Sequence, residues 1–241
     1  MIERTHFEVG ETAVAIVCDG AFLPTVKDAV FRAREIVETK ISEDPFFGIT
    51  YDPLPPSSDD HPLIQRMCQS SLLADVGPMA GVAGAVAEFA ADAAVRAGCD
   101  HIIIENGGDI ALFTDRRSLI GVFSGDPKFD GLAFDVPPTG RMTGICSSSG
   151  TIGHSVSLGN SRICTVFSDD TVLADACATS LGNLIRKGTS DELSDAVERI
   201  ASVKGVRGCC TVCNGMFASC GDIPELVGCD SDPSLLTSVR Y

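Results

Sequence analysis

The sequence predicts an α+β fold with a mostly antiparallel sheet. Two observations carry this: strand-like and helix-like segments fall into groups instead of alternating as βαβ units require, and a Gly-Gly turn joins two apolar runs directly. With 241 residues, 44% apolar and 21% charged, the chain can bury a sizeable core. No fixed-period repeat and no linker divides it, so residues 1–241 read as a single domain.

Residues 12–18, TAVAIVC, are β-branched and apolar enough for a strand. In the LPTVKDAVFRAREIVETKIS that follows, Val26, Ala29, Val30, Ala33, Ile36 and Val37 recur at helical spacing. The next stretch, EDPFFGITYDPLPPSSDDHP, holds five prolines and a Ser-Ser-Asp-Asp cluster, and reads as a loop able to cover a site. A helix is expected from near Pro78 to Gly98. Its first half is nearly free of side chains, with Gly81, Ala83, Gly84 and Ala85, so something packs close to this backbone: a neighbouring element or a ligand. HIIIENGGDIALF reads as two strands joined by a tight turn. Further strands are expected at SLIGVF, GLAFDV, TGICSSS, RICTVF and GCCTVC, with helices over 172–186 and 191–202.

The 33 acidic and 18 basic residues give a formal charge of −15, which repels phosphate backbones and anionic lipid surfaces. No Trp and only two Tyr leave little aromatic surface for stacking bases. Nucleic acid and membranes are therefore excluded as expected partners. Glu3, Glu8 and Glu11 precede any apolar run, unlike a secretory leader, so a cytoplasmic location is expected. The apolar stretch 76–89 is interrupted by Glu88 and followed by Asp92 and Arg96, which is too short and too charged for a spanning segment.

Eleven cysteines without a leader predict reduced thiols. In GCCTVCNGMFASC, Cys210 and Cys213 have C-x-x-C spacing, with Cys209 and Cys220 nearby. Zinc or iron–sulfur ligation and simple thiol packing are both open there, although only one pair is present and no His completes a set.

Three segments carry candidate chemistry. Asn106-Gly107-Gly108-Asp109 suits a hairpin turn, and its glycines also let backbone N–H groups reach an anionic ligand. CSSSGTIGHSVSLG packs hydroxyls, glycines and His154 into one polar loop; it fails the G-x-S-x-G nucleophile pattern but could form an anion-binding nest. In VLADACATSLGN, Asp175 and Thr179 stand one helical turn apart, and either serve as a dipole-complementing acid and a hydroxyl bonded to its own helix, or offer oxygens to a hard cation.

The order of these segments resembles the ApbE family of Mg2+-dependent FAD:protein FMN transferases. The resemblance rests on Ala174-Asp175-Ala176-Cys177-Ala178-Thr179-Ser180-Leu181, on Gly107-Gly108-Asp109 and on Ser149-Gly150, within residues 76–183. It implies an ApbE-like fold of two interlocked α+β halves, flanked by helices. It further implies Mg2+ bound by Asp175 and Thr179, with a backbone carbonyl near Val82. Asn106, Gly107, Gly108, Asp109, Ser148, Ser149 and Gly150 would line a pocket for FAD or another nucleotide diphosphate, and His154 is the catalytic candidate. The implied reaction passes FMN to a Ser or Thr hydroxyl of an acceptor protein and releases AMP. Two positions depart from the family: Ala83 stands where it has Lys, and Ser155-Val156 follows His154 where it has Asp-Pro. A non-catalytic nucleotide- or partner-binding protein is the alternative reading.

Overall fold

The computed structural model describes residues 1–122, 126–129, 131–149 and 163–229. The chain opens with β1 (Ile2–Val9) and β2 (Thr12–Asp19), then α1 (Leu23–Glu43), α2 (Pro62–Ala74) and, after a 3-10 turn at Pro78–Gly81, α3 (Val82–Arg96). Next come β3 (His101–Asn106), β4 (Asp109–Thr114), β5 (Ser118–Val122), β6 (Leu132–Val136), β7 (Thr143–Ser148) and β8 (Ile163–Ser168). The helices α4 (Thr171–Leu184) and α5 (Ser190–Ala201) follow, then β9 (Val206–Cys213), β10 (Met216–Gly221) and β11 (Glu225–Gly228). Eight strands form one antiparallel sheet in the order β1-β2-β3-β4-β7-β8-β9-β10, and β11-β6-β5 form a second, smaller one. The α+β class with a mostly antiparallel sheet holds.

The helices lie on one face of the large sheet. α1 and α3 cover β2 to β4, with Val26, Val30 and Ala33 packed against Ile16, Ile102 and Ile104. Farther along, α4 and α5 cover β8 and β9. α3 and α4 touch where the two halves of the helical layer meet. The small sheet covers the opposite face, joining Phe134 and Val136 to Leu112, Ile145 and Phe167. The central strands β3, β4, β7, β8 and β9 therefore serve two cores by alternation.

Four elements, β1, α2, β10 and β11, were not read from the sequence. β1 is an edge strand carrying Glu3, Arg4 and Glu8, and such charges protect the open side of a sheet. α2 starts at Pro62 behind an unusual cap, His61, whose Nδ1 accepts from the Leu63 N–H at 3.1 Å. The proline-rich loop ahead of it plunges Phe47 fully into the core below α1. The run Pro78–Arg96 is long and apolar enough to cross a bilayer by length and composition. It is a core helix here: Ala85, Ala87, Ala90, Ala91 and Ala94 are buried among α1, α4 and the sheet.

Candidate functional site

The β3–β4 hairpin turns through Gly107 and Gly108, whose φ values of +67° and +111° favour glycine. Asn106 and Asp109 face each other across it. Asp109 in turn lies opposite Cys146 of β7. Strand alternation sends Asn106, Asp109, Cys146 and Ser148 to the helical face, beneath the start of α3 and the first turns of α4. The hairpin reading of Asn-Gly-Gly-Asp and its placement beside the Ser-rich strand end are thus compatible.

The two helices cap each other. α3 has no side-chain cap of its own at Gly81. Asp175 of α4 supplies it, accepting from the N–H groups of Gly84, at 2.8 Å, and Ala83. Conversely, Glu88 of α3 accepts from the Thr171 N–H at the start of α4, at 2.6 Å. Glu88 is buried and paired with Arg66 at 2.6 Å, and Arg66 also reaches Asp170 at 3.0 Å. Asn106 Nδ2 donates to the Ala83 carbonyl at 3.1 Å, tying the hairpin to the same helix start. A Cβ on Gly84 would lie 2.6 Å from the Thr171 carbonyl oxygen and 2.9 Å from the Asp175 Cβ. The side-chain-poor start of α3 is therefore explained by a neighbouring helix.

The electrostatics are less restful. Asp175 and Asp109 are both buried, and among the described residues neither has an ion-pair partner. Burial, then the Asp109 charge, pushes the Asp175 carboxyl well above its ordinary range, against the pull of the Gly84 and Ala83 N–H groups. Burial pushes Asp109 up to about 7, opposed by hydrogen bonds from the Ser147 backbone and the Cys146 thiol. Cys146 is raised by its own burial and by both carboxylates. Asp109 Oδ1, Ser148 Oγ and Thr171 Oγ1 are buried with no hydrogen-bond partner among the described residues. Orphaned oxygens beside two unpaired acids suit a cation.

Asp175, Asp109 and Asn106 are thus brought together, with Ser148 on the same sheet face. Thr179 stands one turn beyond Asp175 on α4, half-buried. Val82 opens α3 next to the two N–H groups that Asp175 holds. Ser149 lies just past the end of β7. His154 and Gly150 lie outside the described residues. Sequence reasoning missed the roles of Glu88, Arg66 and Cys146; the one signal was Glu88 itself, an acid inside an apolar helix.

The cysteine segment does not converge. Cys209 and Cys213 enter the core beneath α4 and α5, whereas Cys210 enters the core under the small sheet. A spacing of three along a strand puts Cys210 and Cys213 on opposite faces, so they cannot clasp one ion. Burial raises Cys209 to about 12 and suppresses its thiolate. Among the described residues no group of three or more His, Cys, Asp or Glu could hold a metal ion. Any cation near Asp109 and Asp175 would therefore need hydroxyl, backbone or ligand oxygens as well.

A family model described as AbpE bacteria matches residues 2–215. The chain belongs to this family. Among its relatives is a UPF0280 protein of Methanosphaerula palustris, 39% identical over 98% of each chain. Another, from Methanocella arvoryzae, is 35% identical over 98% of this chain and 96% of the relative. The fold is similar to that of the ApbE protein of Thermotoga maritima, with a TM-score of 0.63 at 12% identity, covering 95% of this chain and 97% of that one. It is also similar to the flavin transferase ApbE of Vibrio cholerae, with a TM-score of 0.57 at 14% identity, covering 91% and 97%. An ApbE-like fold is established for this AbpE-family chain.

Proposed function

We propose that the chain is a cytoplasmic flavin-nucleotide-binding protein that takes FAD with Mg2+ and transfers its FMN part to a hydroxyl of an acceptor protein, releasing AMP. The observation that carries the reading is the pair of buried, mutually repelling carboxylates, Asp109 and Asp175, at a glycine turn and a helix start. The fold shared with proteins named flavin transferases supports the flavin part.

The residues fit a hard divalent ion. Asp109 and Asp175 would hold it, with Thr179, Ser148 and a backbone carbonyl near Val82 as neutral oxygen donors. When bound, the ion supplies charge neutralisation at the diphosphate, the electrostatic part of phosphoryl transfer. The protein's own contribution is positional. Gly107 leaves open space where a Cβ would stand, so its backbone is accessible to an anionic ligand. Asn106 fixes the hairpin to α3, and Glu88 with Arg66 fixes α4, so that Asp109 and Asp175 stay side by side. Both acids must lose a proton before they hold a cation, which links ion uptake to proton release. His154 is the candidate catalytic group.

Ala83 favours a second reading, binding without transfer, because it stands where the resemblance calls for Lys. The test is incubation of purified protein with FAD, Mg2+ and a candidate acceptor, following AMP by chromatography. Mg2+-dependent AMP release, lost in Asp175→Asn with the fold intact by circular dichroism, supports transfer. Retained FAD without AMP selects the binding-only reading. Absence of both sinks the flavin assignment.

A further inference from the structure

The β9–β10 hairpin turns through Asn214 and Gly215, with φ of +51° and +72°, between the paired residues Cys213 and Met216. Farther from the turn, the register sets Cys209 directly opposite Cys220. Opposed residues share a face of the sheet, and both thiols lie on the side covered by α4 and α5. Hydrogen-bonded and non-bonded pairs alternate outward from the turn, so Cys209 and Cys220 form a hydrogen-bonded pair. The Asp222 N–H donates to the Arg207 carbonyl at 2.8 Å, in the same phase one repeat farther on. Such a pair holds its Cα atoms about 5.5 Å apart, a spacing common across disulfides. Its Cβ atoms stand about as far apart, so closing a bond needs an approach of about 1 Å.

The strand that must move is free to do so. β10 is the outermost strand of the large sheet, with no neighbour on its open side among the described residues. Gly221, at φ +83°, bends the chain immediately beyond Cys220. The two thiols differ in access. Cys209 is fully buried, its Sγ donating to the Val197 carbonyl of α5 at 3.3 Å, whereas Cys220 is partly exposed. Burial, then the nearness of Cys220, raises the Cys209 thiol. The neighbouring cysteines do not compete. Cys210 faces the opposite core, Cys213 is paired with Met216 at the turn, and Cys229 follows β11 of the small sheet.

We propose that Cys220 and Cys209 form a redox modification site that reacts with a low-molecular-weight disulfide and closes to a cross-strand disulfide. Cys220 is the entry point. Its thiolate attacks one sulfur of the small disulfide, forming a mixed disulfide on Cys220 and releasing the first small thiol. Cys209 then attacks the Cys220 sulfur, and its proton ends on the second small thiol as that leaves. The protein thiols lose two electrons and two protons, and the small disulfide takes them up as two thiols. Capping Cys220 removes a charge that helped hold the Cys209 proton, while burial keeps this second step slow. The approach the strands must make strains the bond and leaves it easily reduced, which suits a reversible modification. The site is independent of the flavin reading.

The test is intact mass spectrometry of reduced full-length protein after exposure to glutathione disulfide and removal of excess reagent. A Cys229→Ser background removes the other partly exposed thiol. One glutathione is expected to add and then to leave without any reductant, ending in a protein lighter than the start by a pair of hydrogens. Cleavage after Phe217 should then leave the β9 and β10 fragments joined until dithiothreitol is added. Cys209→Ala should hold its glutathione, losing it more than about tenfold more slowly because the intramolecular attacker is gone. Cys210→Ala should behave as the parent. Cys220→Ala, a change at a partly exposed site, should take up no glutathione on the hairpin. Glutathione held as long by the parent as by Cys209→Ala overturns the pair, and so does a bond mapped from Cys220 to any other cysteine. No uptake at Cys220 overturns the entry point. The fragment map of the parent decides the pairing even where Cys209→Ala fails to fold.

Discussion

Replacing Asp109 with Asn should stabilise the metal-free protein at alkaline pH and leave it nearly unchanged in acid. The folded-state carboxyl is raised from 3.8 to about 7 by burial, so the native state holds its proton more tightly than the unfolded chain does. The sign follows from linkage: the native state is favoured below 3.8, loses stability as pH climbs from there to about 7, and is flat above. Roughly three pKa units at 1.36 kcal/mol each give ~4 kcal/mol as the upper bound for this group. Asp175 is raised too, and its relief in Asp109→Asn works in the same direction. Urea unfolding of both proteins in EDTA at about pH 4.5 and pH 8 measures the difference directly, and subtracting mutant from wild type cancels the titration of other groups. A gain of several kcal/mol at the higher pH that shrinks toward zero at the lower is expected. A pH-independent difference would refute the buried, proton-holding pair.

Mg2+ should reverse that cost in the wild type: an ion at about a hundred times its dissociation constant adds ~2.7 kcal/mol of stability at pH 8, and Asp109→Asn should forfeit most of the gain, as thermal melts with and without the ion would show. Glu88→Gln weakens the α4 cap and the Arg66 pair, although Arg66 keeps Asp170, so a loss of about 1–2 kcal/mol is expected in chemical denaturation, against near-neutrality for the exposed Glu198→Gln. Gly84→Ala should cost about 1–3 kcal/mol despite alanine's better helix propensity, because the new methyl meets the Thr171 carbonyl. Among the eleven cysteines only Cys220 and Cys229 are partly exposed, so native protein should react rapidly with a thiol reagent at those two and slowly elsewhere.

Much of the fold was legible because periodicity was undisturbed. The helical spacing of Val26, Ala29, Val30, Ala33 and Val37 matches the buried face of α1, and the Gly-Gly turn separates β3 from β4, although the strands run further into the turn segment than their apolar runs suggest, taking in Glu105, Asn106 and Asp109. α2 was hidden because its cap is a histidine and its start adjoins a proline-rich loop, two local signals that argue for irregular chain. The site was half legible. Asp175 and Asp109 could be singled out, but the sequence does not say that Asp175 caps a helix 91 residues upstream, a contact only the packing of α3 on α4 creates. Cysteine spacing misled for a related reason: C-x-x-C clasps metal on a turn, and here it runs along a strand that divides its members between two cores.

The mutual capping of α3 and α4 has a consequence for how the protein comes apart. Each helix takes a terminal hydrogen bond from a side chain on the other, across 91 residues in one direction and 83 in the reverse. Neither half of the helical layer can peel from the sheet without stripping a cap from the half that remains. Partial opening is therefore penalised twice, and unfolding should be an all-or-none event in which the two halves stand or fall together. A chain cut between them would leave α3 without its side-chain cap and α4 with Asp170 alone, each missing a hydrogen bond that the other fragment supplies.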